Sequence, residues 1–82
     1  MIKIVFNEKE NKSVAYDDNT KIGECDFEEI QDTWNIFHTE VDNAYQGQGI
    51  ARKLVEIIVQ NAKSNNKKLI ASCSYAKKII SQ

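Results

Sequence analysis

Two hydrophobic periodicities divide the chain. In the first half, apolar and β-branched residues alternate with polar ones, as in strands that bury one face. This alternation predicts four strands, the first two joined as a hairpin, over residues 1–6, 13–16, 21–30 and 33–42. From Ile50 onward the apolar residues recur every three or four positions, which predicts a helix that ends at the polar residues 64–66.

The last part of the chain predicts one more strand and one more helix. KLIASC, residues 68–73, is typical of a buried strand, and SYAKKIISQ is typical of a short terminal helix anchored by Ile79 and Ile80. A strand, a helix and a strand in succession predict a right-handed crossover between parallel strands. We therefore expect one α+β domain over residues 1–82, with a mixed, mostly antiparallel sheet of about five strands.

Composition narrows the class of protein. The 82 residues, 41% of them hydrophobic and 28% charged, suffice for one core. No apolar run approaches the roughly 18 residues of a membrane span, and MIKIVFNEKE lacks the order of a secretory signal. We therefore expect a cytoplasmic protein without a membrane partner. Cys25 and Cys73 form no CxxC pair, so we expect two free thiols and neither a metal site nor a disulfide.

The net charge of −1 hides two halves of opposite charge. Residues 1–42 hold four lysines against eleven acids, and residues 43–82 hold six lysines and Arg52 against Glu56 alone. Two interpretations stay open: attraction between parts of one domain, or two surfaces, one suited to a polyanion and one to a cation. The lysines are not interleaved with aromatic residues and the chain is not basic overall, so nucleic acid is not an expected partner.

The segment QGQGIARK, residues 46–53, carries the clearest candidate chemistry. Gly47 and Gly49 stand where the fourth strand should lead into the helix, and no serine, threonine, aspartate or asparagine cap precedes Ile50. The first helical amides are therefore open to an anion, glycine permits close approach, and Arg52 suits a phosphate. The alternative is a plain strand-to-helix turn. Neither the Walker pattern nor the dinucleotide-binding fingerprint fits.

This segment resembles the acetyl-coenzyme A loop of the GNAT superfamily of N-acetyltransferases. The signature [Q/R]-x-x-G-x-[G/A] is met by Gln46, Gly49 and Ala51. The motifs IGECDF, FHTEV and LIASCSY stand around it in order, over about residues 22–76, and are similar to the small single-domain GNAT-like (YjdJ-type) branch. The resemblance implies a minimal GNAT fold and acetyl-coenzyme A as the cofactor.

The resemblance also implies where coenzyme A binds. The backbone amides from Gly47 through Arg52 would hold its pyrophosphate, and its pantetheine arm would run between the fourth strand and the 68–73 strand toward Cys73. Lys77 and Lys78, together with Arg52, would meet the remaining phosphate charge. The residues expected to contact the cofactor are Val41, Gln46, Gly47, Gln48, Gly49, Ile50, Ala51, Arg52, Cys73, Ser74, Tyr75 and Lys78.

Acetyl transfer to an amine needs a polarised carbonyl, a base for the amine and an acid for the leaving thiolate. The resemblance assigns the first task to a main-chain N–H among residues 38–41. His38 is the first candidate base, because its ordinary pKa of about 6.5 suits neutral pH, and Glu40 is the second; each could instead be an ordinary strand residue. Cys73 could accept the acetyl group, assist deprotonation or only pack. Tyr75 is the nearest candidate acid, or a packing residue.

Larger family members carry two helices between their first and second strands that help to wall the acceptor site. Only NEKENK, residues 7–12, occupies that place here, so we expect an open acceptor pocket and an unidentified amine: a lysine side chain, an N-terminus or a polyamine. Two functions stay open: direct acetyl transfer by a monomer, or a non-catalytic module that binds coenzyme A. Cys25, Trp34 and Phe37 are predicted core residues.

Overall fold

The computed structural model describes residues 1–82 and contains five strands and two α-helices. The strands are β1 (Ile2–Asn7), β2 (Lys12–Asp17), β3 (Thr20–Ile30), β4 (Thr33–Val41) and β5 (Lys68–Ala71). The helices are α1 (Ile50–Ser64) and α2 (Ser74–Ile80), with a 3-10 turn at Asn43–Tyr45. The α+β class, the number of strands and the short terminal helix are as the sequence predicts.

The strands form one sheet in the order β1-β2-β3-β4-β5. The first four are antiparallel neighbours, and β5 lies parallel to β4 with α1 as the crossover between them. The prediction that the last strand extends to Cys73 is wrong: the strand ends at Ala71. The amides of Ser72 and Cys73 both donate to the carbonyl of Ile36, at 3.0 and 3.1 Å, so the ladder stops there and the chain turns away from β4.

The core lies between α1 and one face of the sheet. Phe6, Phe27 and Trp34 stack on one another, with the Phe27 and Trp34 rings 4.3 Å apart. The buried hydroxyl of Ser13 donates to the carbonyl of Leu54 at 2.8 Å and ties β2 to the helix. The other fully or nearly fully buried apolar residues of this core are Ala15, Ile22, Cys25, Ile36, Ile50, Val55, Ile58, Ala62 and Ala76.

A bulge in β4 corrects one sequence prediction. Asp26 pairs with His38, but Phe27 pairs with Ile36, so Phe37 has no partner on β3. The extra residue shifts the alternation of side chains along the strand. Phe37 is consequently 49% exposed, and its prediction as a core residue is wrong, whereas Cys25 and Trp34 are buried as predicted.

Beyond the bulge, β3 and β4 alternate between two faces. Cys25 pairs with Thr39 on the face toward the helices, while Glu24 and Asp26 pair with Glu40 and His38 on the opposite face. Neither helix combines the length and hydrophobicity that crossing a membrane requires. No group of three or more histidine, cysteine, aspartate or glutamate side chains is arranged to hold a metal ion.

Candidate active site

The separation of β4 from β5 opens a gap beside the second half of β4. Pairing between the two strands ends at Ile36, and β4 continues to Val41 without a neighbour on that side. Asn35 fixes the branch point: its Oδ1 accepts from the amide of Ser72 at 2.9 Å, and its Nδ2 donates to the Ser72 Oγ at 3.2 Å. The same Nδ2 lies 2.9 Å from the Oε2 of Glu28. Two strands are thus held together up to residue 36 and apart beyond it.

The free edge of β4 presents backbone donors to this gap. The amide of Asp42 donates to the carbonyl of Ile22 on β3 at 2.7 Å, so it points away from the gap. Because successive residues of a strand face opposite edges, the amides of Val41 and Thr39 point into the gap. The carbonyl of Val41 lies on the same edge and accepts from the Nε2 of Gln46 at 3.3 Å. Within the predicted segment 38–41, two N–H groups therefore face the gap.

A cavity of about 680 Å³ joins this gap to the start of α1, a volume in the ordinary range for small-ligand sites. It is lined by Thr39, Glu40, Val41, Tyr45, Gln46, Gly47, Gly49, Ile50, Ala51 and Tyr75. Sequence reasoning had named all of these except Thr39 and Tyr45. Thr39 could have been found from its place two residues before Val41 on a strand, which puts the two side chains on one face. The only signal for Tyr45 was its position next to the loop that contains Gly47 and Gly49, hereafter the glycine loop.

The glycine loop has a backbone that other residues adopt with difficulty. Gly47 has φ +83° and Gly49 has φ +78°, while a Cβ atom at either position would meet nothing within 4 Å. The need for glycine is therefore conformational rather than steric. Gly49 caps α1 without any side-chain hydrogen bond, and the first turn holds no acidic residue.

The start of α1 leaves a row of backbone donors unused. None of the six amides from Gly47 to Arg52 donates to an acceptor in the protein; the first bonded amide is that of Lys53, to the carbonyl of Gly49 at 3.2 Å. These amides sit at the positive end of a helix dipole, beside the cavity. The arrangement can bind an anion that has several acceptor oxygens.

Side chains hold this loop in place from the sheet. The hydroxyl of Tyr45 donates to the Oδ2 of Asp17 on β2 at 2.6 Å. That hydrogen bond is the main cause of a lowered pKa at Asp17 and of a raised pKa at Tyr45. The Oδ1 of Asp42 accepts from the amide of Ala44 at 2.9 Å and caps the 3-10 turn. The loop is therefore anchored before any ligand binds.

His38 and Glu40 form a pair on the outer face of β4. The His38 Nε2 lies 2.8 Å from the Glu40 Oε1, and this contact is the main cause of a raised pKa at His38. Glu40 lines the cavity, whereas His38 does not. On the neighbouring strand β3, the hydrogen-bonded ion pair with Lys21 is the main cause that lowers the pKa of Glu24 to about 2. Burial is the main cause that raises the pKa of Asp26 on the same strand.

Cys73 lies immediately before α2, partly buried and with a free thiol. Burial raises the pKa of this thiol, but hydrogen bonds from the backbone of Ala76, the hydroxyl of Thr39 and the backbone of Tyr75 outweigh it, and the pKa is lowered. Cys25, by contrast, is fully buried on β3, and burial raises its pKa to about 12. Of the two thiols, Cys73 is therefore the one that ionises more readily.

Several predicted site residues lie outside the cavity lining: Gln48, Arg52, Cys73, Ser74, Lys78 and His38. The Arg52 side chain is engaged elsewhere, with its Nε 3.3 Å from the Oε2 of Glu56 and its Nη2 2.6 Å from the Oε1 of Gln82. It lines a separate groove of about 560 Å³ between the two helices. Lys77 and Lys78 are exposed in the last turn of α2.

Residues 12–82 match the sequence profile of a family described as GCN5-related N-acetyl-transferase. The fold is similar to the solution NMR structure of a GCN5-like candidate N-acetyltransferase from Staphylococcus aureus, at 36% identity and a TM-score of 0.73 over 96% of this chain and 78% of that one. No curated protein sequence matches the chain significantly.

More distant structures share the fold. A ribosomal-protein-alanine N-acetyltransferase from Brucella melitensis biovar Abortus 2308 is 20% identical, with a TM-score of 0.72 over 87% of this chain and 60% of that one. The PaiA N-acetyltransferase from Thermoplasma acidophilum, solved in complex with coenzyme A, is 18% identical, with a TM-score of 0.65 over 68% of this chain and 35% of that one. The chain thus spans less than two thirds of each of these two larger proteins.

Proposed function

The chain belongs to the GCN5-related N-acetyltransferase family, and from this premise we propose that it binds acetyl-coenzyme A in the cavity beside β4 and transfers the acetyl group to a primary amine. The observation that carries the proposal is the row of six unpaired amides from Gly47 to Arg52 at the uncapped start of α1. A pyrophosphate has the charge and the number of acceptor oxygens that this row requires.

The loop amides, including that of Gln48, are the primary phosphate contacts in this proposal. Arg52 and Lys78 add positive charge at longer range, because neither side chain lines the cavity. The scarcity of acidic groups in this half of the chain, where Glu56 stands alone, supports the same assignment.

The free edge of β4 is the proposed site for the pantetheine arm. An extended ligand with amide groups can pair with an unpartnered strand edge as another strand would. Thr39 and Val41 offer N–H groups there, and the side chains of Val41, Ile50 and Ala51 supply apolar wall. Tyr75, in the first turn of α2, lines the same cavity, and Ser74 precedes it in the chain.

Acetyl-coenzyme A, when bound, supplies an acetyl group activated as a thioester. The amide of Val41 would then be the donor that polarises the thioester carbonyl, because it points into the gap, whereas the amide of Thr39 already contacts the Cys73 sulfur. The His38–Glu40 pair accepts the proton of the amine: Glu40 is one of the residues that line the cavity, and His38, 2.8 Å away, shares the proton. The raised pKa of His38 makes the pair a stronger base.

Tyr75 is the proposed acid for the leaving thiolate, because it lines the same cavity. In direct transfer Cys73 stays unacylated and lies beside the reacting groups through its contact with Thr39. A monomer is the proposed active form.

The acceptor in this proposal is a cationic amine on a protein or a polyamine. Residues Glu8 to Asn11 form a short turn between β1 and β2, so no helix covers the outer face of the sheet next to Glu40. That face also carries Glu24 and Asp26. An open, carboxylate-bearing approach to the cavity admits a bulky positively charged acceptor.

The test combines binding and turnover. Titration of labelled protein with coenzyme A should shift the amide signals of Gly47, Gly49 and Ala51, and incubation with acetyl-coenzyme A and a panel of amines should release free coenzyme A thiol. Glu40→Gln should lower turnover at least tenfold with unchanged coenzyme A affinity, while Glu8→Gln, in the β1–β2 turn, should change neither turnover nor coenzyme A affinity.

Three results would count against parts of the proposal. Unshifted glycine amides at saturating ligand contradict the loop assignment. Coenzyme A binding without turnover on any amine instead supports a non-catalytic acyl-coenzyme A module. Full turnover in Glu40→Gln removes the His38–Glu40 pair from the reaction.

A further inference from the structure

Cys25 is a buried thiol that the proposed reaction does not use. It lies on β3 opposite Thr39, has no exposed surface, and its Sγ is 3.4 Å from the Thr39 Oγ1. The same Oγ1 is 3.6 Å from the Sγ of Cys73, across the gap between β4 and α2. One hydroxyl therefore contacts both cysteines of the chain, one in the core and one beside the cavity.

The two thiols differ in the hydrogen bond that each can make with this hydroxyl. A threonine hydroxyl has one proton to donate and two lone pairs to accept with. Cys25 is held as a neutral thiol by burial, since its pKa is about 12, so it can donate its S–H to the Oγ1 at neutral pH. The proton of the Thr39 hydroxyl is then available to another acceptor.

We propose that Thr39 is a positioning residue that links Cys25 to Cys73 and stabilises the Cys73 side chain as a thiolate at the edge of the cavity. When Cys73 is protonated, it donates its S–H to the Oγ1. When it ionises, its proton leaves to solvent, the hydroxyl of Thr39 rotates and donates to the sulfur, and Cys25 continues to donate to the oxygen. No other bond is made or broken. The meaning of this thiolate for acetyl transfer rests on the proposed function, but its existence does not.

No other titratable side chain shares this arrangement. The elements around Cys73 carry Lys21, Glu24, Cys25, Asp26, Glu28 and Glu29 on β3, His38 and Glu40 on β4, Arg52, Lys53, Glu56 and Lys63 on α1, Lys68 on β5, and Tyr75, Lys77 and Lys78 on α2. Apart from Cys25, none of them bonds to the Thr39 hydroxyl or to the Cys73 sulfur. The backbone of Thr39 adds a second contact to the same sulfur, and its branched side chain has few alternative rotamers on a strand.

The thiolate can be measured directly by its rate of alkylation. The full chain is treated with iodoacetamide over a range of pH without coenzyme A, and mass spectrometry follows modification at Cys73; only the thiolate reacts. Thr39→Val keeps the shape and removes the hydroxyl. Its rate curve should move to higher pH, with a rate about three- to tenfold lower below the midpoint, as expected for the loss of one hydrogen bond. Thr39→Ser should keep the wild-type curve.

The role of Cys25 has its own variant. Cys25→Ala removes the donor to the Thr39 hydroxyl and should shift the curve in the same direction by a smaller amount, about twofold in rate. A Cys25→Ala curve identical to that of the wild type contradicts the part assigned to Cys25. If Thr39→Val does not fold, Thr39→Ala serves as the hydroxyl-free variant, with the fluorescence of Trp34 as the check on folding.

A wild-type pH curve in a folded hydroxyl-free variant overturns the proposal, since a merely structural role for Thr39 would change stability and not the ionisation of Cys73. Shifted curves together with loop amide signals that do not move on coenzyme A titration retain the role of Thr39 and reject the proposed function. Unshifted curves together with normal coenzyme A binding reject the role of Thr39 and retain the proposed function.

Discussion

Replacing Gly49 by alanine separates backbone strain from steric exclusion at the start of α1. Gly49 has φ +78° and ψ 12°, in the left-handed region, and a Cβ atom there would meet nothing within 4 Å. The left-handed conformation costs an alanine about 1–2 kcal/mol, and the stiffer unfolded chain offsets about 0.4–1 kcal/mol of that. We therefore expect Gly49→Ala to lower the free energy of unfolding by about 1 kcal/mol, which lowers Tm by about 4–8 °C in a domain of this size.

Two comparison variants make the reasoning specific. Asparagine tolerates the left-handed region better than alanine, and the open space around Gly49 accommodates its side chain, so Gly49→Asn should be clearly less destabilising than Gly49→Ala. At Gly23 the need for glycine is steric rather than conformational. A Cβ atom there would lie 2.8 Å from the backbone oxygen of Glu40, and this crowding should cost about 1–3 kcal/mol.

Urea unfolding followed by the fluorescence of Trp34, the single buried tryptophan, measures all three variants. Coenzyme A titration of the folded Gly49→Ala protein should also show weaker binding, because relaxation of the strain moves the loop amides. Equal stability of Gly49→Ala and the wild type, or an asparagine variant no better than the alanine one, refutes the conformational argument.

Two further changes test the charge network and the loop anchor. Stability should fall as pH decreases from about 5 toward 2, because the pKa of Glu24 is about 2 in the folded protein, below its ordinary value of 4.5. The ionised Glu24 stabilises the fold fully above pH 4.5, and this stabilisation is lost as the carboxylate protonates. Glu24→Gln should flatten this part of the profile of urea midpoint against pH, and an unchanged slope would exclude Glu24 as the source. Tyr45→Phe removes the 2.6 Å hydrogen bond to Asp17 and should weaken coenzyme A binding a few-fold by calorimetry; unchanged affinity would show that the loop needs no anchor from β2.

Sequence reasoning reached most of the fold because the relevant signals are local. The change from a two-residue to a three-to-four-residue hydrophobic period separates β4 from α1 at the glycine loop, and the missing cap before Ile50 is visible in the letters themselves. The crossover between β4 and β5 follows from the order strand, helix, strand. Each of these depends on neighbours within a few positions of the chain.

The same reasoning failed at features that depend on how neighbouring strands pair. The bulge at Phe37 depends on how β3 registers against β4, and the end of β5 at Ala71 depends on two amides that converge on Ile36. An alternating pattern records which residues are apolar, but not where one strand gains an extra residue against its partner.

By itself, the sequence determined the elements, the family resemblance and the uncapped helix start after residues 47–49, because propensity, periodicity and capping act over a few residues. The tertiary structure alone decided that β4 and β5 part at Ile36, that Thr39 and Tyr45 line the cavity, and that Cys25 and Cys73 meet at one hydroxyl. The two contacts of Thr39 with the cysteines join residues 14 and 34 positions apart. They follow from strand register and helix packing, which no local pattern encodes.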